Sequence, residues 1–108
     1  MTKSKGYVRT YLRGLAHHLK PVVWVGQHGI TDSFIHATSQ ELDERELIKI
    51  KFNSFKDQKK TLAQEIEAKT ESEMVGLIGN IAIFYRQSPD ETKRKIQLPE
   101  KPAAPQSA

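Results

Sequence analysis

The sequence contains no cysteine and no long apolar run, and these absences narrow what the chain can be. Because the chain has no cysteine, it has no disulfide bond, no thiolate nucleophile and no zinc site with sulfur ligands. Such a chain is compatible with a reducing compartment. No signal-peptide pattern follows residues 1–5, and no apolar run approaches the roughly 18 residues of a membrane span. We therefore predict a soluble, cytoplasmic protein without a membrane partner.

The length and composition favour one small globular domain. The chain has 108 residues, of which 37% are hydrophobic and 28% charged, a balance typical of folded rather than disordered proteins. The composition changes near the carboxyl end, which is rich in Pro, Ala, Gln and Ser. We predict a single domain over residues 1–98 and a disordered polar tail over residues 99–108.

The spacing of apolar residues predicts the element order α-β-α-β-α-β-β. Thr31 or Asp32 is a suitable cap for the second helix. Gly79-Asn80 between the last two strands predicts a hairpin, because glycine adopts the positive φ of a tight turn. Alternating helices and strands favour parallel pairing with crossovers. The expected fold is a two-layer α/β domain with a mixed four-stranded sheet. The predicted strands are residues 21–25, 47–52, 74–78 and 81–85, and the helices cover 7–19, 34–42 and 57–70.

The net charge is only +4, but the charges are segregated along the chain. Residues 1–29 carry no acid, residues 30–48 are acidic, and residues 49–60 have five lysines against one aspartate. A basic face would suggest a polyanionic partner such as nucleic acid. An ordinary solvated surface would show the same pattern, so charge alone leaves both interpretations open.

The most informative motif is Gly26-Gln27-His28-Gly29, which separates a predicted buried strand from a helix start. Glycines let the backbone approach a ligand, and the helix that follows directs free N–H groups towards an anion. A Gly-x-x-Gly loop binds the nucleic-acid backbone in KH domains. The alternative is a strand-to-helix turn that needs glycine at both ends. The motif lacks the Gly-Lys-Ser/Thr ending of a mononucleotide phosphate loop.

Four sequence blocks place this motif in a wider pattern. LAHHLKPVV at 15–23, VGQHGIT at 25–31, ELIKIK at 46–51 and IGNIAIFYR at 78–86 occur in this order. Together they resemble the CRM domain in its stand-alone bacterial form, the YhbY family, over residues 6–99. The resemblance implies a fold similar to the C-terminal domain of translation initiation factor three. It also implies RNA binding, because stand-alone members associate with precursors of the large ribosomal subunit and plant organelle relatives bind group II introns.

The same resemblance implies that the Gly-x-x-Gly loop and an adjoining basic surface contact RNA. Lys20 and Arg86 match cationic positions of the family blocks, whereas Asn80 stands where a basic residue is expected. Strand alternation places Lys49 and Lys51 on one face without saying which. We therefore predict a protein that binds ribosomal RNA in large-subunit precursors and assists assembly as a monomer. The predicted RNA-contacting residues are Lys20, Gly26, Gln27, His28, Gly29, Lys49, Lys51 and Arg86.

Other chemistries have weaker support. His17 and His18 are adjacent, so on a helix they point about 100° apart and do not readily chelate one ion. Ser33, Ser39 and Ser54 have no nucleophile-elbow context. We predict no metal, cofactor, small-molecule substrate or enzymatic activity. DNA is disfavoured because no helix shows the pattern of a major-groove reader.

Two further groups of residues allow two interpretations. Trp24 and Tyr85 could stack on bases, but Trp24 lies between valines in a strand expected to be buried, which favours core packing. Residues 93–95 are basic and could contact RNA or belong to a solvated segment. The rival function is docking of a basic protein such as a ribosomal protein. Such a partner would bind the acidic surface formed by Asp32, Glu41, Asp43 and Glu44. The neighbouring Glu46 is also expected to be solvated.

Overall fold

The computed structural model of the protein describes residues 4–100. The predicted element order is confirmed, with short 3-10 turns at Lys56–Gln58 and Glu91–Lys93. Of the tail predicted over residues 99–108, residues 101–108 lie outside the described part. The elements are α1 (Gly6–Ala16), β1 (Pro21–Val25), α2 (Asp32–Arg45), β2 (Leu47–Phe52), α3 (Lys59–Thr70), β3 (Glu73–Ile78) and β4 (Ile81–Tyr85).

The strands form one mixed sheet in the order β1-β2-β4-β3. β1 and β2 are parallel and α2 connects them, whereas β4 runs antiparallel to both β2 and β3. The β3–β4 hairpin turns at Gly79, whose φ of +59° is the left-handed conformation that the sequence predicts there. The expected mixed four-stranded sheet is therefore confirmed.

The larger core lies between the sheet and the pair of helices α2 and α3. Strand alternation directs one set of side chains to this face, and each fully buried aliphatic or aromatic side chain contributes about 1.5–3 kcal/mol. The buried members are Val23, Val25, Leu42, Ile48, Ile50, Phe52, Ala63, Ile66, Ala82 and Phe84.

Helix α1 packs on the opposite face of the sheet. Val8, Leu12 and Ala16 contact a second buried cluster, which the alternate residues of the strands supply. The two-layer expectation thus needs a refinement, because the α1 side adds a third layer over part of the sheet. The strand residues of this second cluster are Leu47, Val75, Ile83 and Tyr85.

Residues 87–100, here called the C-terminal strap, continue the fold past the last strand. Ile96 and Leu98 pack against the cluster beneath α1. The Tyr7 hydroxyl donates a hydrogen bond to the Glu100 carbonyl (2.9 Å). The strap is polar in sequence, yet its two apolar side chains fasten it to the domain.

Candidate nucleic-acid interface

The Gly-x-x-Gly motif forms a tight turn directly after β1. The Gly29 amide donates to the Gly26 carbonyl (3.0 Å), which leaves Gln27 and His28 exposed at the tip. Gly29 has a φ of +70°, a conformation that favours glycine. Gly26 is different, because a Cβ built there would meet no atom within 4 Å. The space beside Gly26 is therefore open to a ligand rather than filled by the protein.

A second loop, which follows β2, supports this turn. The amides of Asn53 and Ser54 both donate to the Val25 carbonyl (3.0 and 3.1 Å). A Cβ on Gly29 would lie 3.5 Å from Cε2 of the Phe55 ring. The turn thus rests on the strand end and on an aromatic ring. We call this side of the sheet, with the 26–29, 53–55 and 79–80 segments, the loop end.

Two lysines, Lys51 and Lys59, lie at the loop end. Lys51 is exposed and pairs in register with Trp24, two residues before Gly26. Lys49 shares its face, which is the α1 face, but lies nearer the other end of the sheet, because it pairs with Pro21 and its Nζ donates to the Leu19 carbonyl (3.0 Å). Lys59 donates to the carbonyl of Gly79 (2.7 Å) at the hairpin turn. A cation therefore stands at this turn even though the turn residue itself is Asn80.

The first turn of α2 is less suited to an anion than the sequence suggests. Thr31 caps the helix, because its hydroxyl accepts a hydrogen bond from the Phe34 amide (3.0 Å). One of the free N–H groups is thereby satisfied by the protein itself. The exposed carboxylate of Asp32 occupies the first helical position and would repel a phosphate. The turn and its lysines, rather than the helix end, are the better anion contacts.

Arg86 and Lys20 lie at the other end of the sheet. The Arg86 amide donates a hydrogen bond to the carbonyl of Glu46, just before β2 begins. The other end of β2, at Phe52, lies at the loop end. Six residues of strand separate these levels, which is about 20 Å at roughly 3.3 Å per residue. Lys20 precedes β1 and is separated from Gly26 by the length of that strand, a similar distance. The structure thus places Lys51 close to the turn, but neither these two cations nor Lys49, which pairs with Pro21 at the start of β1 and donates to the Leu19 carbonyl.

The Arg86 guanidinium is engaged by the protein. It donates to the hydroxyl and carbonyl of Ser39 (3.0 and 2.7 Å) and to the Thr70 carbonyl (2.8 Å). It also forms an ion pair with Asp43 at 2.6 Å. These contacts join the middle of α2 to the end of α3. They give Arg86 a structural role that its position in a family block did not reveal.

The chain matches the model of a known domain family. The family model described as the CRS1 / YhbY (CRM) domain matches residues 5–86. The chain belongs to the CRS1/YhbY (CRM) domain family. The matched range includes every helix and strand and ends just before the strap.

Relatives of this CRM domain are named for RNA binding. A Haemophilus influenzae protein named "RNA-binding protein" is 36% identical over 94% of this chain and 100% of the relative. The Bacillus subtilis "Probable RNA-binding protein YqeI" is 33% identical over 87% of this chain and 97% of its own length. The solution structure of Staphylococcus aureus SAV1595, reported as a candidate RNA-binding protein, has a TM-score of 0.75 and 37% identity. The match covers 90% of this chain and 100% of that protein.

The placement of Trp24 in this CRM domain corrects the sequence analysis. Core packing was predicted, but 51% of Trp24 is exposed. Val23 and Val25 face α2 and α3, so alternation directs Trp24 to the other face, beyond the reach of α1. Tyr85, the second stacking candidate, is only 6% exposed, and burial raises the pKa of its hydroxyl to about 12. Of the two aromatic residues, only Trp24 is accessible to a base.

The acidic side chains also differ from expectation. Glu46 was expected to be solvated but is 1% exposed. Its carboxylate accepts backbone hydrogen bonds from Ser88 (2.6 Å), Lys95 (2.8 Å) and Ile96 (3.0 Å). Glu46 therefore fastens the strap to the end of α2. We call this region, with Arg86, the clasp end.

The acidic face of the docking hypothesis is partly neutralised within the CRM domain. Glu41 forms an ion pair with Arg45 (2.8 Å), and Asp43 forms one with Arg86 (2.6 Å). Half of the four proposed carboxylates are thus already matched by protein cations. The surface available to a basic partner is smaller than the sequence implies.

The described residues show no constellation for metal chemistry. Within residues 4–100 no three His, Cys, Asp or Glu side chains are placed to share a metal ion. The rings of His17 and His18 contact each other edge to face, with centroids 5.1 Å apart. In the same range, no helix combines the length and the apolarity that crossing a membrane would demand.

Proposed function

We propose that this protein binds ribosomal RNA in precursors of the large ribosomal subunit and assists their assembly. The observation that carries the proposal is the 26–29 turn, with Gln27 and His28 exposed at its tip, open space beside Gly26 and the exposed Lys51 alongside. The family and the names of its relatives support an RNA partner. The ribosomal target follows from the resemblance to stand-alone bacterial YhbY proteins.

In this proposal the RNA backbone approaches the turn at Gly26. Gln27 and His28 donate hydrogen bonds to phosphate or sugar oxygens, and Gly29 maintains the turn conformation. Lys51 supplies positive charge beside it. Because phosphate contacts carry little sequence information, such a surface recognises structured RNA by shape. The protein acts as a cytoplasmic monomer and binds without catalysis.

Arg86 and Lys20 are not part of this proposed contact. The Arg86 donors are used by Ser39, Thr70 and Asp43. Lys20 is exposed but lies at the far end of β1. The proposed surface is thus narrower than the sequence predicts.

A salt titration tests the proposal with purified components. Binding of fragments of large-subunit rRNA should weaken with salt at a log–log slope of several phosphate contacts, about 0.7 for each in single strands. Gly26→Asp should weaken binding about tenfold, since its charge meets the phosphate at close range. Gly26→Asn is the matched control, because it adds a side chain of the same shape without charge and should weaken binding less. The side chain of either variant enters open space, so both should fold.

Two outcomes would contradict the backbone contact. Equal affinities for Gly26→Asp and wild type would remove the turn from the interface. No binding by wild type at low salt would favour docking of a basic protein on the remaining acidic surface, Asp32 and Glu44.

The assembly role needs a separate measurement in cells. Sedimentation of an extract that contains the tagged protein should place it with precursors of the large subunit and not with mature subunits. Gly26→Asp should shift it towards the top of the gradient. Equal association with mature large subunits or with small subunits would contradict a role in large-subunit assembly.

A further inference from the structure

A row of side chains crosses the open part of the α1 face beside the Gly-x-x-Gly turn. The registers align Trp24 with Lys51, Lys51 with Ile81, and Ile81 with Ile78, one residue from each strand. Trp24 is 51% exposed and Ile78 is 67% exposed. Lys51 is exposed between the two, and Ile81 is half-buried. We call these four residues the open row.

Helix α1 stops one row short of these residues. The adjacent row on the same face aligns Lys49, Ile83 and Gly76. The Arg13 side chain of α1 crosses Gly76 so closely that a Cβ there would lie 2.9 Å from Arg13 Cδ. The Arg13 guanidinium also donates to the Val75 carbonyl (2.8 Å). α1 is therefore anchored over the adjacent row and leaves the open row uncovered.

The chemistry of the open row favours a nucleic-acid base over an apolar partner. An aromatic and an aliphatic side chain left in water indicate a surface that binds something. A purely apolar partner would have to bury the Lys51 ammonium, which is costly without a counter-charge. An unpaired nucleotide satisfies both groups at once, because its base stacks on an aromatic face and its phosphate pairs with the cation. The exposed positive charge next to an exposed indole is therefore complementary to single-stranded RNA.

The open row also continues the proposed RNA contact at the turn. Trp24 precedes Gly26 by two residues, which is about 7 Å along an extended strand. A strand whose backbone lies at the turn would therefore bring a neighbouring nucleotide to the indole.

We propose that the open row is a binding site for an unpaired nucleotide, whose base stacks on Trp24 and whose phosphate pairs with Lys51. The inference rests on the proposed function and extends it from backbone binding to a preference for single-stranded segments. The sheet face then selects RNA with a splayed base next to the structured part that the turn binds. Ile81 and Ile78 extend the apolar floor on which the base lies.

Trp24 is the only tryptophan of the chain, so its fluorescence reports on this site without a label. Titration with an eight-nucleotide oligouridine should quench the emission, whereas an RNA duplex of the same length should leave it nearly unchanged. Trp24→Leu should weaken oligouridine binding about tenfold. Trp24→Phe should restore most of the affinity, because phenylalanine retains an aromatic face. Since half of Trp24 is solvent-exposed, both variants should fold, which circular dichroism can verify.

The outcomes separate the stacking site from the proposed function. If wild type binds RNA with the expected salt slope while oligouridine leaves the emission unchanged and Trp24→Leu binds like wild type, the stacking site is wrong and the backbone contact stands. If wild type binds neither rRNA fragments nor oligouridine, the proposed function fails. A concentration-dependent blue shift without RNA, matched by dimers in sedimentation velocity, would overturn the stacking site in favour of a contact between two copies.

Discussion

The two ends of the sheet differ in what their polar groups contact. At the clasp end the Glu46 carboxylate accepts hydrogen bonds from three backbone amides. The Arg86 guanidinium donates hydrogen bonds to α2 and to the end of α3. At the loop end Gln27, His28 and Lys51 are exposed to solvent. Both ends carry cations that a sequence motif marks as RNA contacts. The donors of Arg86 are therefore used within the protein, whereas Lys51 is exposed beside the turn.

The largest expected effect is at the clasp end. Glu46→Gln should lower the free energy of unfolding by about 3 kcal/mol, because a buried amide has one acceptor oxygen and would turn its NH2 group towards strap N–H groups that the carboxylate now binds. Urea denaturation measures the loss. Glu44→Gln, on the exposed side of the same helix end, is the control and should change stability by less than about 0.5 kcal/mol. Unchanged stability of Glu46→Gln would contradict the role of this carboxylate.

Arg86→Lys should cost about 2 kcal/mol of stability and leave the RNA affinity of the folded protein unchanged. A lysine ammonium is a point charge and cannot reach the Ser39, Thr70 and Asp43 acceptors together as the guanidinium does. Arg45→Lys alters an exposed ion pair on the same helix and should cost less than about 0.5 kcal/mol. If Arg86→Lys kept its stability but lost RNA binding, Arg86 would belong to the RNA-contacting surface after all.

Within the Gly-x-x-Gly turn the two glycines should respond differently to alanine. Gly29→Ala should cost about 1–2 kcal/mol, because alanine is strained at a φ of +70°. Gly26→Ala should change stability by less than about 0.5 kcal/mol, because its Cβ enters open space. Thermal unfolding of the two variants measures the difference. Equal losses would mean that both glycines serve the turn itself, which would remove the argument that Gly26 leaves room for a ligand.

Much of the fold follows from local patterns in the sequence. The hydrophobic periods identify the order of helices and strands, and Gly79 marks the hairpin because a tight turn needs its positive φ. Thr31 could be recognised as a helix cap from its type and position. The face that α1 covers could not be predicted, because β2 and β4 carry apolar residues on both faces.

Several roles at the candidate site could not be predicted from local patterns, because they depend on contacts between distant segments. The exposure of Trp24 depends on the placement of α1, which packs against β2, β3 and β4. The burial of Glu46 depends on a strap some 40–50 residues later in the chain. Alternation along β1 was the one local signal that could have separated Trp24 from its valine neighbours.

The most direct test of an RNA surface at the loop end compares two exposed lysines: Lys51, near the end of β2, and Lys20, just before β1. Lys51→Gln should weaken binding of rRNA fragments about fivefold and lower the log–log salt slope by about 0.7, the loss of one phosphate contact. Lys20→Gln removes the same charge at the far end and should leave both quantities near wild type. A larger loss in Lys20→Gln than in Lys51→Gln would contradict the account and move the RNA to the opposite end of the sheet.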